Sequence, residues 1–317
     1  MITARERGFT LIELLIALVM GLIVLTTVTG YVRTTQRTIN ATTMRDDYAR
    51  KARFLGLTLR RDIGEAGVGI ESLRGWGAVS VIGDTIVVVK VPYTPNAEPA
   101  YTVVPPAAAL TPTTHSNSAG CGNLCFRLRR VSAGTALTLQ AGDVARVQQG
   151  TIRRLIGVTA VGALTPSGST DSISVQFLDL AALFRRPSIQ QAPPLTGITI
   201  SNTTVQRLEL VAYWRDASNN LRRATRIDAT GQLVGEIIAT GCTQFEAWIT
   251  FKNGGIADNA DSTVTGRWFN DINAVNVRAT MQADVIDPRV NGGVPLKRTY
   301  TYRVQPRNLL YQRNRGI

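Results

Sequence analysis

Residues 7–20 read RGFTLIELLIALVM, and the run goes on through GLIVLTTVTGYV at residues 21–32. About 20 apolar residues in a helix span the hydrocarbon core of a bilayer. Residues 9–32 are therefore read as the membrane half of a long helix. Inside that run Glu13 is the one charged residue. A carboxylate at the centre of such a span costs roughly 2.5–3.5 kcal/mol on insertion scales, and somewhat less near an end. No basic residue lies between Phe9 and Tyr31 to offset it. The partner of Glu13 must come from elsewhere.

Three readings of the left flank, MITARERG at residues 1–8, compete. A secretory signal peptide would have an apolar core of about 7–15 residues and a small-residue cleavage site. Here the core is longer, and Val28-Thr29-Gly30 is a poor site. A plain signal anchor accounts for the hydropathy and leaves Glu13 unexplained. Arginine counting does not orient it, because Arg5 and Arg7 precede the span while Arg33, Arg37, Arg45 and Arg50 follow it. The third reading cuts the chain after Gly8. Phe9 then carries a free α-amino group. Four residues of helix rise only about 6 Å, so this cation lies near the depth of Glu13 on a neighbouring copy.

The stretch Gly8-Phe9 through Met20, G-FTLIELLIALVM, resembles the leader and N-terminal helix of type IV pilins and type II secretion pseudopilins. The resemblance implies a prepilin peptidase that cuts after Gly8 and methylates the amine of Phe9. It also implies that Glu13 guides subunit pairing during assembly. Many major pilins place a proline late in the membrane half, where this chain has Thr29-Gly30. Gly21, Gly30 and Gly56 supply local weakness instead, each costing about 1 kcal/mol relative to alanine.

Beyond the membrane half there is no proline from residue 32 to residue 63. Tyr48, Ala52, Leu55, Leu59 and Ile63 recur at spacings of four, three, four and four, which is one helical face. Arg45, Asp46, Asp47, Arg50, Lys51, Arg53, Arg60, Arg61 and Asp62 are assigned to solvent. Residues 33–63 thus read as an amphipathic half that lies on a sheet. The segment 62–69, DIGEAGVG, ends it.

Residues 64–317 read as a β-rich head. An apolar run marks a buried strand at 85–91, and period-two alternation marks strands at 125–131, 206–214, 244–251, 273–285 and 298–304. On these strands Leu208, Leu210, Ala212 and Trp214 share a face, as do Phe245, Ala247, Ile249 and Phe251. About ten strands behind one helix predict two antiparallel sheets or one long curved sheet. No strand–helix repeat supports a parallel doubly wound fold. The fold class expected is α+β and pilin-like, a long N-terminal helix packed on a large antiparallel head of one domain or two lobes.

Residues 92–120 are rich in Pro, Ala, Thr and Ser and read as a long connection. Residues 252–276 hold Gly254, Gly255, Asp258, Asn259, Asp261, Asn270, Asp271 and Asn273. Their spacing is not that of an EF-hand, and a turn-rich surface loop is favoured over a Ca²⁺ site. Three cysteines occur, Cys121, Cys125 and Cys242. An oxidising compartment allows one disulfide, either the local Cys121–Cys125 bridge across CGNLC or either of these with Cys242. Zinc held by the cysteines and the lone His115 is disfavoured by spacing. No metal and no cofactor is expected.

One histidine, no HExxH, no GxSxG and no P-loop argue against an enzyme. Lys plus Arg number 35 against 22 Asp plus Glu, a net charge of +13. Arginine doublets fall at 129–130, 153–154, 185–186 and 222–223. Their scatter favours solvated strand faces such as Arg127, Arg129, Arg278 and Arg303. Binding of nucleic acid is a secondary alternative.

With 317 residues the chain is long for a major pilin, and it is most similar to minor pilins of the PilW type, whose relatives include the J-type minor pseudopilin (GspJ) of type II secretion. The C-terminal YRVQPRNLL carries the same resemblance. It implies a single-pass inner-membrane protein with its head in the periplasm, later at the pilus tip or cell surface. Implied partners are the prepilin peptidase, other minor pilins, the major pilin and a tip adhesin. The expected function is to prime a type IV pilus or to sit at its tip. The alternatives are a pseudopilin of a secretion system and a membrane-anchored binding module, DNA-binding included, with a pilin-like leader.

Overall fold

The computed structural model describes residues 10–72, 74–92, 100–104, 125–130, 138–150, 152–163, 172–180, 202–261, 263–284 and 286–309. They divide into two compact units. One holds the chain up to Arg50 together with Gln282–Lys297, the other Lys51–Met281 and the residues from Arg298 onward.

A single helix, α1 (Leu11–Gly64), runs through 54 residues. Its two halves differ in what surrounds them. Residues 11–34 are exposed throughout, whereas Met44, Tyr48, Ala52, Leu55, Leu59 and Ile63 are buried. The predicted stripe is therefore the packed stripe. Burying a side chain such as Leu55, Leu59 or Ile63 contributes about 1.5–3 kcal/mol, which is what holds this half of the helix on the sheet. The helix ends where Gly67 and Gly69 adopt positive φ, 77° and 69°. There Gly67 N–H donates to the Val89 carbonyl and Val91 N–H to Val68, so the chain turns directly onto the edge of a sheet.

Strands β1 (Val79–Ile82) and β2 (Thr85–Lys90) form a hairpin, and β2 pairs with the central strand β8 (Thr204–Arg215). On the other edge of β8 lie β9 (Leu221–Ile227) and then β10 (Leu233–Ala239). These pairings use the second half of β8, residues 209–215. The first half pairs with β3 (Tyr101–Val103) on one edge and β5 (Val144–Gln149) on the other. From β3 the ladder passes through β4 (Cys125–Arg130) and β7 (Ser172–Asp179) to β6 (Ile152–Val161), which pairs with β5. The ring β8-β3-β4-β7-β6-β5 thus closes on itself as a six-stranded antiparallel barrel. Tyr101, Phe126, Leu128, Val147, Ile156, Val158, Val175, Phe177 and Val205 fill it, with Phe126 and Phe177 stacked at 4.2 Å. Closure removes the free edges that an open sheet of this size would present.

A second sheet runs β12 (Ile256–Ala257), β11 (Cys242–Phe251), β13 (Ile272–Gln282), β14 (Lys297–Val304). Phe245, Ala247, Ile249 and Phe251 of β11 and Val275, Val277, Ala279 and Met281 of β13 are buried, as their alternation predicts. The opposite face is less wet than expected. Thr280 is buried between Gln244 and Thr299, and the Asn276 amide donates to Thr250. Tyr302 of β14 lies on the helix, and its hydroxyl donates to the Ala52 carbonyl at 2.7 Å.

Two expectations are corrected. The span 92–120 is not a connection throughout, because Tyr101-Thr102-Val103 is a barrel strand with Tyr101 fully buried. An aromatic and a β-branched residue between prolines suffice for a three-residue strand when two neighbours already offer ladder partners. Asp62 is not solvated. It is 3% exposed, and its carboxylate accepts hydrogen bonds from Tyr213 of β8 and, at 2.8 Å, from Arg223 of β9.

In the smaller unit the segment that follows β13 folds back on α1. The Asn40 amide donates to the Asp287 carboxylate, and Asp284 N–H donates to Asp47.

Candidate functional site

The first described residue, Thr10, caps the helix. Its side-chain oxygen and its carbonyl both accept the Glu13 N–H, at 3.3 and 3.1 Å. Threonine at the cap with glutamate three residues on is the capping-box pattern, legible in TLIE and passed over in the sequence reading. The Glu13 carboxylate also lies at the positive end of the helix dipole, which favours it. Gly8 and Phe9 lie outside the described residues.

The helix behind Glu13 has a mean hydropathy of 2.6 over its most apolar 18-residue window, none of it buried in this chain. Leu11, Ile12, Leu18, Met20 and Leu25 are all more than 60% exposed. Unpaired hydroxyls would be costly in lipid. Here Thr26, Thr27 and Thr29 donate to the carbonyls of Ile23, Val24 and Leu25 at 2.7–2.9 Å. The surface presented outward is apolar with one carboxylate near its end.

The family model for the prokaryotic N-terminal methylation motif matches residues 3–29. The chain carries a pilin-type leader. It is accordingly a type IV pilin-like or pseudopilin-like protein, inserted through its N-terminal helix. Such a leader implies processing by a prepilin peptidase and assembly with pilin-like proteins. No curated protein and no solved structure matches the chain.

The pilin-like head holds the other residues singled out by sequence. Cys125 is disulfide-bonded, while Cys242 is a free thiol buried on β11. A bridge from Cys125 to Cys242 is therefore not the one formed; Cys121 and His115 lie outside the described residues. Burial pushes the Cys242 thiol up to about 11, against a smaller opposing pull from Arg215. In the 252–276 loop three of the predicted oxygen ligands are spent on the fold. Asn259 bonds Ser80 and Val81 of β1, Asp261 closes a turn onto Thr263, and Asp271 faces Lys252 at 3.4 Å. Among the described residues no three His, Cys, Asp or Glu side chains converge as metal ligands. An open groove of about 450 Å³ lies over the β11–β13 sheet, where Arg278 sits 5.3 Å from the Trp248 ring and 3.3 Å from Glu246.

Among the described residues, the arginines of the doublets are engaged at separate places. Arg222 pairs with Asp216 at 2.6 Å and Arg223 with Asp62, while Arg153 is buried. Arg127, Arg129, Arg278 and Arg303 do lie on the more open faces of their strands. Sequence reasoning missed the Asp62 site, although a signal was present. Asp62 stands seven residues after Leu55 and three after Leu59, on the apolar stripe itself.

Proposed function

We propose that the chain is a minor pilin of the PilW type that primes a type IV pilus or occupies its tip, acting by assembly and without catalysis. The observation that carries this reading is the bare apolar half of α1 with Glu13 at its start. That surface has no partner among the described residues, and a lipid bilayer followed by a bundle of similar helices is the environment that buries it. Cleavage after Gly8 leaves an amine on Phe9. In oil, a carboxylate and an ammonium on adjacent subunits relieve each other's desolvation cost. A periplasmic head fits this sequence of events, because the β-rich part stays outside the bilayer while the apolar helix leaves it to join the bundle. Length beyond that of a major pilin supports a terminal rather than a repeating place in the filament.

The test separates pairing from capping. Glu13→Gln keeps a capping-box side chain but removes the charge. If Glu13 pairs with an amine, Glu13→Gln and Glu13→Ala both lose incorporation into sheared pili, by tenfold or more. Incorporation of Glu13→Gln at the wild-type level would show that capping is all the residue does. A Gly8 substitution gives an unprocessed band on a gel. Immunogold labelling of the head confined to filament ends supports the tip position, and labelling along the shaft overturns it.

A further inference from the structure

Two arginines stand on the outer face of the barrel and are buried there. Arg146 of β5 lies opposite Gln206 of β8 and diagonal to Arg153 of β6, which faces Gln148. Ala145 and Val147, which flank Arg146, lie in the barrel core and Ile152, next to Arg153, packs against it, so these two guanidinium groups share the other side. Arg146 is 9% exposed and Arg153 is 8% exposed. Among the described residues they share one carboxylate. Arg153 Nη2 donates to Glu71 at 2.8 Å, and Arg146 Nη2 donates to the neutral Gln206 side chain. Arg146 Nε, Arg153 Nε and Arg153 Nη1 are buried with no acceptor among the described residues.

The charge count does not close. Two guanidinium groups against one half-exposed carboxylate leave about one positive charge in a dry site. An uncompensated buried charge costs several kcal/mol, and each bare N–H adds a desolvation penalty. Burial, with a smaller push from the neighbouring Arg153, brings Arg146 down to about 10 against a modest opposing pull from Glu71. Even so, Arg146 is charged at neutral pH. Three donors on two forked groups, on adjacent strands, match several oxygens on a single anion. Little of either side chain reaches solvent, which points to a small ion rather than a bulky group as the ligand.

We infer that Arg146 and Arg153, with Glu71 as the competing carboxylate, form a binding site for one small tetrahedral oxyanion of the phosphate class. Glu71 is the mobile partner in this arrangement: it is 54% exposed and withdraws into water as the anion takes Arg153. The anion then stabilises the junction between the barrel and the segment that follows α1.

The test uses the full chain in detergent, titrated with inorganic phosphate or sulfate against chloride at matched ionic strength. The expected result is a saturable 1:1 binding isotherm and a Tm that rises by about 2–4 °C at an anion concentration tenfold above Kd. Arg146→Met loses the isotherm and the Tm response, while its Tm without anion is equal to or above that of the wild type, because a bare buried charge has gone. Arg153→Met gives a second variant should the first fold poorly. Glu71→Gln removes the competitor and tightens phosphate binding severalfold. Glycerol phosphate distinguishes the sources: binding equal to inorganic phosphate marks a site open to phosphomonoesters, and loss of it marks a site for the free ion. No saturable response in the wild type, or the same response in Arg146→Met, overturns the inference.

Discussion

At the scale of the residue, Asp62 sets the strongest local constraint. Burial raises its carboxyl, but hydrogen bonds from Arg223, Tyr213 and Arg61 outweigh burial and hold it below its ordinary 3.8. A carboxylate depressed in the folded state contributes stability above the unfolded pKa, and the contribution fades as pH falls through the folded value. The wild type is therefore expected to lose the Asp62 contribution below about pH 3.8 and not between pH 5 and 7. Urea midpoints at pH 7, 5 and 3 for wild type and Asp62→Asn check this, since only the difference between the two isolates Asp62. At pH 7, Asp62→Ala leaves Arg223 and Tyr213 facing a void and is expected to cost about 3–5 kcal/mol. Replacing both partners, Asp62→Leu with Arg223→Met, should recover much of that loss. Cys242 makes a second prediction at this scale. With its pKa pushed up to about 11 by burial, almost none of it is thiolate at pH 8. An aromatic disulfide reagent is expected to label it only after denaturation; rapid labelling of the native protein would show that β11 opens.

Elements differ in how plainly their sequences announce them. The stripe Tyr48, Ala52, Leu55, Leu59, Ile63 and the alternating strands β4, β11, β13 and β14 were legible because each repeats its pattern against one packed face. The hairpin β9–β10 was not. LRRATRI buries Leu221, Ala224 and Ile227, a spacing of three, because register shifts interrupt its pairing with β10. A bulge breaks the period on which such reading depends. Asp62 was misassigned because the partners that bury it, Tyr213 and Arg223, are more than 150 residues away, and its place on the apolar stripe was the only local sign of burial. Gly56 gives the prediction for α1. By propensity alone, Gly56→Ala should stabilise the helix by about 1 kcal/mol. A Cβ there would stand 2.7 Å from the Tyr302 ring. The ring cannot retreat without loosening its hydroxyl from the Ala52 carbonyl, and overpacking of this kind costs about 1–3 kcal/mol. The clash is expected to win, for a net loss of up to about 2 kcal/mol. A Gly56→Ala variant more stable than wild type in thermal melts would mean that β14 shifts freely over the helix. Tyr302→Phe should cost about 0.5–1.5 kcal/mol through the hydrogen bond alone.

At the scale of the whole molecule, β8 joins two architectures that sequence could not connect. Its 12 residues belong to the barrel through Val205 and Leu208 and to the open sheet through Val211 and Tyr213. The barrel closes through the pairing of β8 with β5, roughly 60 residues apart in the chain, and no periodicity encodes such a contact. The consequence is mechanical. Neither the barrel nor the open sheet can lose β8 without exposing ladder edges of the other. The head is therefore expected to unfold in one cooperative transition despite its two cores. The tryptophans make this measurable. Trp76, Trp248 and Trp268 lie outside the barrel strands, and Trp214 lies on the half of β8 that pairs with β9, so their fluorescence reports the open sheets, while far-UV circular dichroism reports every strand. The two signals are expected to give coincident urea midpoints. A dichroism transition that persists beyond the fluorescence transition would show the barrel folding by itself, with β8 shared in geometry and divided in energy. Leu210→Pro sharpens the comparison: it removes the N–H at the boundary between the two halves of β8, and it is expected to abolish both signals together.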